Sequence, residues 1–126
     1  MTNKLLTDAE LELMTVLWDR GPSTTREVLD ALDDGRAYTT VSTLLRILVD
    51  KDFLEAQPEG RSHRYAPRLA RDAYQTRNLD HVVEGLFGGD PLGLVRRLVD
   101  AERLDEDQLA DLRALVDREL GGGKGR

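Results

Sequence analysis

The sequence contains no cysteine, and only two of its 126 residues are histidine. The lack of cysteine excludes disulfide bonds, thiolate metal sites and cysteine nucleophiles. His63 and His81 are not at the spacing of two metal ligands on one helix, so we predict no metal site and no cofactor. No nucleophile with a paired base and no phosphate-binding loop can be recognised, and we therefore do not expect an enzyme.

Long apolar stretches are also absent from the chain. None approaches the roughly 20 residues of a bilayer span, and the start "MTNKLLTDAELE" lacks the apolar core of a signal peptide. We therefore expect no membrane role and a cytoplasmic location. Apolar residues make up 40% of the chain and charged residues 33%, which is typical of a globular protein with one ordinary domain or two small ones.

The formal net charge is −6, which argues against nucleic-acid binding through bulk charge alone. The charge is unevenly distributed, however. Residues 1–35 hold three Lys or Arg against eight Asp or Glu, whereas residues 36–68 hold six against four. Cationic side chains therefore concentrate in the second of these segments.

Local sequence signals predict three short helices in the first half of the chain. Two capping boxes, Thr7 with Glu10 and Thr24 with Glu27, predict the starts of the first two helices. The third helix is predicted to run from about residue 38 to residue 52.

A β-hairpin is predicted to follow these helices. Two short segments flank Pro58-Glu59-Gly60, which indicates a turn, and the second segment alternates His63 and Tyr65 with other residues. We expect the His63 ring to pack beside Tyr65 under the hairpin. Three short helices and a hairpin predict a mainly α fold with a small β-hairpin, a winged helix-turn-helix followed by an all-helical segment.

The third helix combines an ordinary apolar face with an unusual polar one. Its apolar stripe has the spacing i, i+3, i+4 and i+7 and consists of Val41, Leu44, Leu45 and Leu48. The opposite face has the same spacing and carries Thr39, Ser42, Thr43 and Arg46. Thr and Ser are weak helix formers, and most exposed helix faces carry Glu, Lys or Gln instead.

Short hydroxyl side chains suit a helix that enters the major groove, because they let its backbone approach the base edges. Arg46 can reach a guanine or a phosphate, and Arg61 and Arg64 on the hairpin can contact the DNA backbone or an adjacent minor groove. An ordinary solvated surface is the alternative interpretation of this face. The adjacent short helix, the basic hairpin and the C-terminal segment together favour DNA readout.

From Arg71 onward the pattern predicts helices only. About 50 helical residues are too few to bury a stable core alone, so we predict a homodimer in which the apolar stripes meet their own copies. The predicted division is a DNA-binding domain at residues 1–70, a dimerisation domain at 71–120 and a flexible tail at 121–126. The predicted dimer contacts are Val83, Leu86, Phe87, Leu92, Val95, Leu98, Val99, Leu109, Leu112 and Val116.

Three stretches of the sequence resemble a known family, the BlaI/MecI penicillinase repressors of bacteria. They are "LTDAELELMTVLWDRGPSTTREVLDAL", "AYTTVSTLLRILVDKDFLE" and "GRSHRYAP", and a weaker similarity continues through "LVRRLVDAERLDEDQLADLRALV". The "AYTTV" entry to the third helix and the "HRYAP" end of the hairpin are the most specific parts. The resemblance implies a homodimeric winged-helix repressor that binds double-stranded operator DNA at an inverted repeat.

The resemblance also assigns DNA contacts to individual positions. It places the third helix in the groove through Thr39, Thr40, Ser42, Thr43 and Arg46, and the hairpin on the DNA backbone through Arg61, His63 and Arg64. Thr40 and His63 are assigned by the resemblance alone.

Two features of the family have no counterpart in this sequence. In the founding repressors a sensor peptidase triggers cleavage of an Asn-Phe bond in the dimerisation helices. The resemblance therefore implies a regulatory peptidase as a further candidate partner. The two residues at the position of this bond are Arg97 and Leu98 in the present chain. Copper-responsive relatives carry a C-terminal cysteine cluster, which a chain without cysteine lacks.

Two functions follow from these observations. The first is a sequence-specific dimeric repressor that binds operator DNA. The second is a winged-helix module that binds another protein without sequence-specific DNA contacts, which the acidic net charge would suit.

Overall fold

The computed structural model describes the backbone of residues 5–124 and the side chains of residues 5–121. Within this range the chain forms six helices and a small antiparallel sheet, which confirms the predicted fold class. The helices are α1 (Asp8–Arg20), α2 (Thr25–Leu32), α3 (Tyr38–Asp50), α4 (Arg71–Leu86), α5 (Pro91–Asp100) and α6 (Glu106–Lys124). The strands are β1 (Ser23–Thr24), β2 (Leu54–Glu59) and β3 (Ser62–Pro67).

Both predicted capping boxes are present at the starts of α1 and α2. Thr7 Oγ1 accepts a hydrogen bond from the Glu10 amide at 3.2 Å, and the Thr7 amide donates to Glu10 Oε1 at 2.8 Å. Thr24 and Glu27 form the same pair of bonds at 3.2 and 2.9 Å. These bonds satisfy amide groups that have no partner inside a helix, so the sequence sets where both helices begin.

The sheet has the strand order β1-β3-β2, with β3 in the centre. The hairpin prediction is confirmed, but the turn lies at Gly60 and Arg61 and not at Pro58-Glu59-Gly60. Pro58 and Glu59 continue β2, where Pro58 is opposite His63. Proline is tolerated there because β2 is an edge strand and its missing amide interrupts no further pairing.

One hydrophobic core joins α1, α2, α3 and the sheet. The hairpin of β2 and β3 is the wing, and Leu54 at its start packs against fully buried side chains from the helices. Leu44 packs against the same core and is half-buried. The fully buried residues of the helices are Leu13, Met14, Leu17, Val28, Val41, Leu45 and Leu48. This core fixes the apolar face of α3 inward.

The chain divides into two compact units, Met1–Leu79 and Asp80–Arg126. The start of α4 belongs to the first unit because Tyr74 is buried there, with its ring 5.9 Å from Trp18 and 6.0 Å from Phe53. The Tyr74 hydroxyl also accepts a hydrogen bond from the Leu6 amide at 3.0 Å.

The second unit contains the end of α4 together with α5 and α6. Asp90 caps α5, and Asp105 and Gln108 form reciprocal hydrogen bonds at the start of α6. Among the side chains described from residue 80 to residue 121, none is fully buried. Residues 121–124 of the predicted tail continue α6, and residues 125 and 126 lie outside the described residues. No helix of the described chain is both long and apolar enough to span a membrane.

Candidate nucleic-acid interface

The two faces of α3 differ as the sequence predicts. Val41, Leu45 and Leu48 are completely buried, and the opposite side of the helix faces solvent. Its exposed residues include four of the five predicted base-reading residues, Thr39, Thr40, Thr43 and Arg46. Ser42 lies at the edge of this face and is half-buried. The first unit therefore presents a helix coated with short hydroxyl side chains and one arginine.

An apolar residue also lies on the exposed side of α3. Ile47 follows Thr43 by one turn and is 36% exposed. Nothing in the sequence indicates that Ile47 is exposed, since isoleucine is among the residues most often buried. A branched aliphatic group on a helix that enters the major groove can contact a thymine methyl.

Contacts at the start of α3 fix the helix against α1 and α2. The Arg36 guanidinium pairs with Glu12 of α1 and with Asp34, the latter at 2.8 Å. Arg26 of α2 lies over the Tyr38 ring, 5.4 Å from its centroid. These contacts hold the N-terminal end of α3, where recognition helices approach the bases, in a defined position.

The six cations of residues 36–68 fall into two groups. Four form ion pairs within the first unit, namely Arg36, Lys51, Arg64 and Arg68. Arg46 and Arg61 form no ion pair with any side chain that the structure describes. The donors of these two arginines are thus available to a base or a phosphate, a distinction that spacing in the sequence does not reveal.

The tip of the wing exposes Arg61 and His63. The His63 ring lies beside Tyr65, with centroids 6.4 Å apart, which confirms the expected neighbour. His63 is exposed, however, whereas we expected it beneath the hairpin. The ring can therefore take part in a contact at the wing surface.

Arg64 is held by three groups from different parts of the first unit. Its Nε and Nη2 donate to the two carboxylate oxygens of Glu59 at 2.7 and 2.8 Å. Its Nη1 donates to Glu27 Oε1 and to the Pro22 carbonyl, each at 3.1 Å. The hydrogen bond from Arg64 lowers the pKa of the Glu59 carboxyl below its usual value.

The fold, the exposed hydroxyl-rich face of α3 and the available Arg46 and Arg61 together indicate a winged-helix DNA-binding protein. Similarity to known sequences identifies the family within this class. The chain belongs to the penicillinase-repressor family, whose sequence model matches residues 6–118. The family resemblance of the sequence is thereby confirmed.

Two curated relatives and one solved structure illustrate the similarity. The transcriptional regulator BlaI of Mycobacterium tuberculosis is 36% identical over 123 residues, covering 94% of this chain and 88% of the relative. The penicillinase repressor of Bacillus licheniformis is 25% identical over 114 residues and 89% of each chain. The solution structure of the DNA-binding domain of the repressor BlaI matches 55% of this chain and 87% of its own, with 34% identity and a TM-score of 0.50.

Proposed function

We propose that the chain is a homodimeric transcriptional repressor that binds an inverted-repeat operator in the bacterial cytoplasm. The exposed face of α3, with Thr39, Thr43 and the unpaired Arg46 on the side of the helix opposite its buried residues, is the observation that carries this proposal. The α3 face enters the major groove and reads bases, while Arg61 and His63 at the wing tip contact the backbone. Membership of a repressor family supports the same function.

The apolar surface of the second unit supports the homodimer. Of the ten predicted dimer contacts, six are exposed and four partly buried in the described chain. Leu86 and Leu92 are 77% and 58% exposed, and no side chain of α5 is fully buried. A unit whose helices keep their apolar side chains in water is stabilised when a second copy covers them. A two-fold dimer also matches an inverted repeat, because each copy meets one half-site.

A gel-shift competition tests this function. The labelled duplex is an inverted repeat from the promoter of the protein's own gene, and the competitors are the same duplex and a scrambled one. A repressor is displaced only by the unlabelled operator. Equal displacement by both competitors, or no shift at all, would support the protein-binding module instead.

Substituting Arg46 by Ala should weaken operator binding by about 1–3 kcal/mol for each half-site, the usual contribution of an arginine that reads a base. Replacing Arg46 by Lys should recover little of this loss if the fork of the guanidinium pairs with a guanine, since an ammonium cannot reproduce that geometry. Titration of the operator and of a scrambled duplex measures both effects. Arg113→Ala in α6 is the matched control because it removes the same charge elsewhere, and equal losses for the two variants would contradict base reading.

The bond between Arg97 and Leu98 should resist a peptidase specific for the Asn-Phe site of the founding repressors. This bond lies inside α5, where the Arg97 carbonyl accepts a hydrogen bond from the Ala101 amide at 2.9 Å and the Leu98 carbonyl one from the Arg103 amide at 3.0 Å. A peptidase would have to unfold this helix end, and it would meet an arginine before the bond. Immunoblots and mass spectrometry of host cells exposed to a β-lactam should show the intact chain. A fragment ending at Arg97 would contradict this prediction.

A further inference from the structure

Arg64 connects the wing to the helix-turn-helix. It lies on β3, the central strand, and its guanidinium reaches Glu59 near the end of β2 on one side. On the other side it reaches Glu27 in the first turn of α2 and the Pro22 carbonyl. One side chain therefore bonds to the hairpin, to a helix and to the loop between α1 and β1.

The sheet by itself joins these parts only weakly. β1 has two residues, and its register with β3 consists of Ser23 opposite Tyr65 and Thr24 opposite Arg64. Beyond Arg64 the hairpin continues to its tip without a further partner strand among the described residues. The hairpin tip needs an additional contact to keep a fixed position, because a two-stranded ribbon is marginally stable in water.

The partners of Arg64 also make it a poor phosphate ligand. Four hydrogen bonds to protein groups occupy its Nε, Nη1 and Nη2 atoms. Glu27 and Glu59 together offset the charge of the guanidinium, which weakens its attraction for a phosphate. Arg61 lies three residues earlier, at the turn, and is exposed. Among the described residues, its guanidinium neither donates a hydrogen bond to a protein group nor pairs with a carboxylate.

We infer that Arg64 is a positioning residue that fixes the wing relative to α2, and that Arg61 supplies the phosphate contact of the wing. This inference deepens the proposed function and rests on it. The four hydrogen bonds of Arg64 set where Arg61 and His63 meet the DNA backbone, without a contact between Arg64 and the DNA.

Salt titrations of the full-length protein distinguish the two arginines. Arg61→Ala and Arg64→Ala change the net charge equally, so each is the matched control for the other. Arg61→Ala removes one phosphate contact from each subunit, so the slope of log affinity against log salt should fall by about 0.9 for each occupied half-site, and by about twice that for the dimer on the full operator. Arg64→Ala should lower affinity by roughly three- to tenfold at every salt concentration, because misplacing the wing weakens its contacts without changing how many counterions are released. A slope lowered as much by Arg64→Ala would overturn the inference.

Arg64→Lys gives a test that keeps the positive charge. A lysine can still contact a phosphate but cannot form the fork with Glu59, so a positioning role predicts weaker DNA binding and a phosphate contact predicts nearly wild-type binding. Glu59→Gln removes the bidentate partner of Arg64 and should speed amide exchange at the hairpin tip in the absence of DNA, where the lost negative charge has no phosphate to act on. Wild-type binding by Arg64→Lys, or unchanged exchange in Glu59→Gln, would refute the positioning role.

Amide hydrogen exchange without DNA separates this inference from the proposed function. Exchange at residues 57–63 should become about tenfold faster in Arg64→Ala, because the hairpin tip opens more often, and should not change in Arg61→Ala. Circular dichroism confirms that both variants are folded. Unchanged exchange in Arg64→Ala would disprove the positioning role even if the protein binds its operator. A wild-type protein that binds no operator would overturn the proposed function while leaving the exchange result intact.

Discussion

Removal of residues 80–126 is expected to lower operator affinity by roughly 100- to 10,000-fold, the usual loss when two linked binding modules become independent. The fragment keeps Tyr74, with its contacts to Trp18 and Phe53, so the first unit retains its complete core. It also keeps every side chain of the proposed interface. The loss therefore arises from the missing second copy. In the dimer, one subunit bound to its half-site raises the effective concentration of the other subunit at the second half-site, and the fragment lacks this advantage.

Sedimentation and half-site titrations show whether dimerisation is the cause. The fragment of residues 1–79 should sediment as a monomer at micromolar concentration and bind a single half-site as well as one subunit of the full chain does. In the full chain, Leu92→Asp should dissociate the dimer without unfolding the subunit, since Leu92 is 58% exposed in the described chain. Arg96→Asp, at an exposed position of the same helix, is the control that should stay dimeric. A dimeric fragment would contradict this account.

The parts of the fold that depend on neighbouring residues in the sequence could be predicted from it. The capping boxes at Thr7 and Thr24 are complete within four residues, so the starts of α1 and α2 follow from local chemistry. The apolar stripe of α3 identified its buried side, and the hydroxyl residues opposite it identified the exposed face.

Features that depend on distant contacts could not be predicted in the same way. The two residues of β1 are too few to show a periodicity, and they form a strand only because β3 pairs with them. Arg61 and Arg64 are equivalent in the sequence, yet only Arg64 meets Glu27, which lies 37 residues away along the chain. Charge counts locate a basic segment, but folding decides which of its cations are already neutralised by carboxylates.

An ion pair between a buried carboxylate of α1 and a partly exposed lysine at the end of α3 gives the largest expected effect on stability. Lys51 Nζ lies 2.7 Å from Glu10 Oε2, and Glu10 is only 3% exposed. Replacing Lys51 by Met leaves the Glu10 carboxylate buried with the Thr7 amide as its remaining donor. We expect the free energy of unfolding at pH 7 to fall by at most about 3–5 kcal/mol, the loss for a fully buried pair, because Lys51 is partly exposed to solvent. Urea denaturation followed by Trp18 fluorescence measures the change.

An exposed pair in the same unit provides the matched control. Arg68 and Asp52 are 3.6 Å apart, and both side chains are more than half exposed. Arg68→Met should change the free energy of unfolding by about 0–1 kcal/mol, because solvent screens such pairs. A loss of similar size for the two variants would mean that burial of Glu10 is not the cause.

The pH dependence of the Lys51→Met variant has a defined sign. In the native protein burial raises the pKa of Glu10, but the hydrogen bonds from Lys51 and Thr7 outweigh it and the net pKa is lowered. That lowered pKa stabilises the native fold above the pKa of the unfolded chain, and the stabilisation is lost as pH falls through the folded value. Without Lys51, only the hydrogen bonds with Thr7 oppose the effect of burial and the folded pKa of Glu10 rises, so the variant loses less stability than the native protein as acid protonates the carboxyl. The difference in the free energy of unfolding between the two proteins should therefore shrink from pH 7 towards pH 4.

Glu10→Gln combined with Lys51→Met should remove this pH dependence. A difference that stays constant over that range would show that lost packing of the Lys51 side chain, and not an unpaired carboxylate, destabilises the variant.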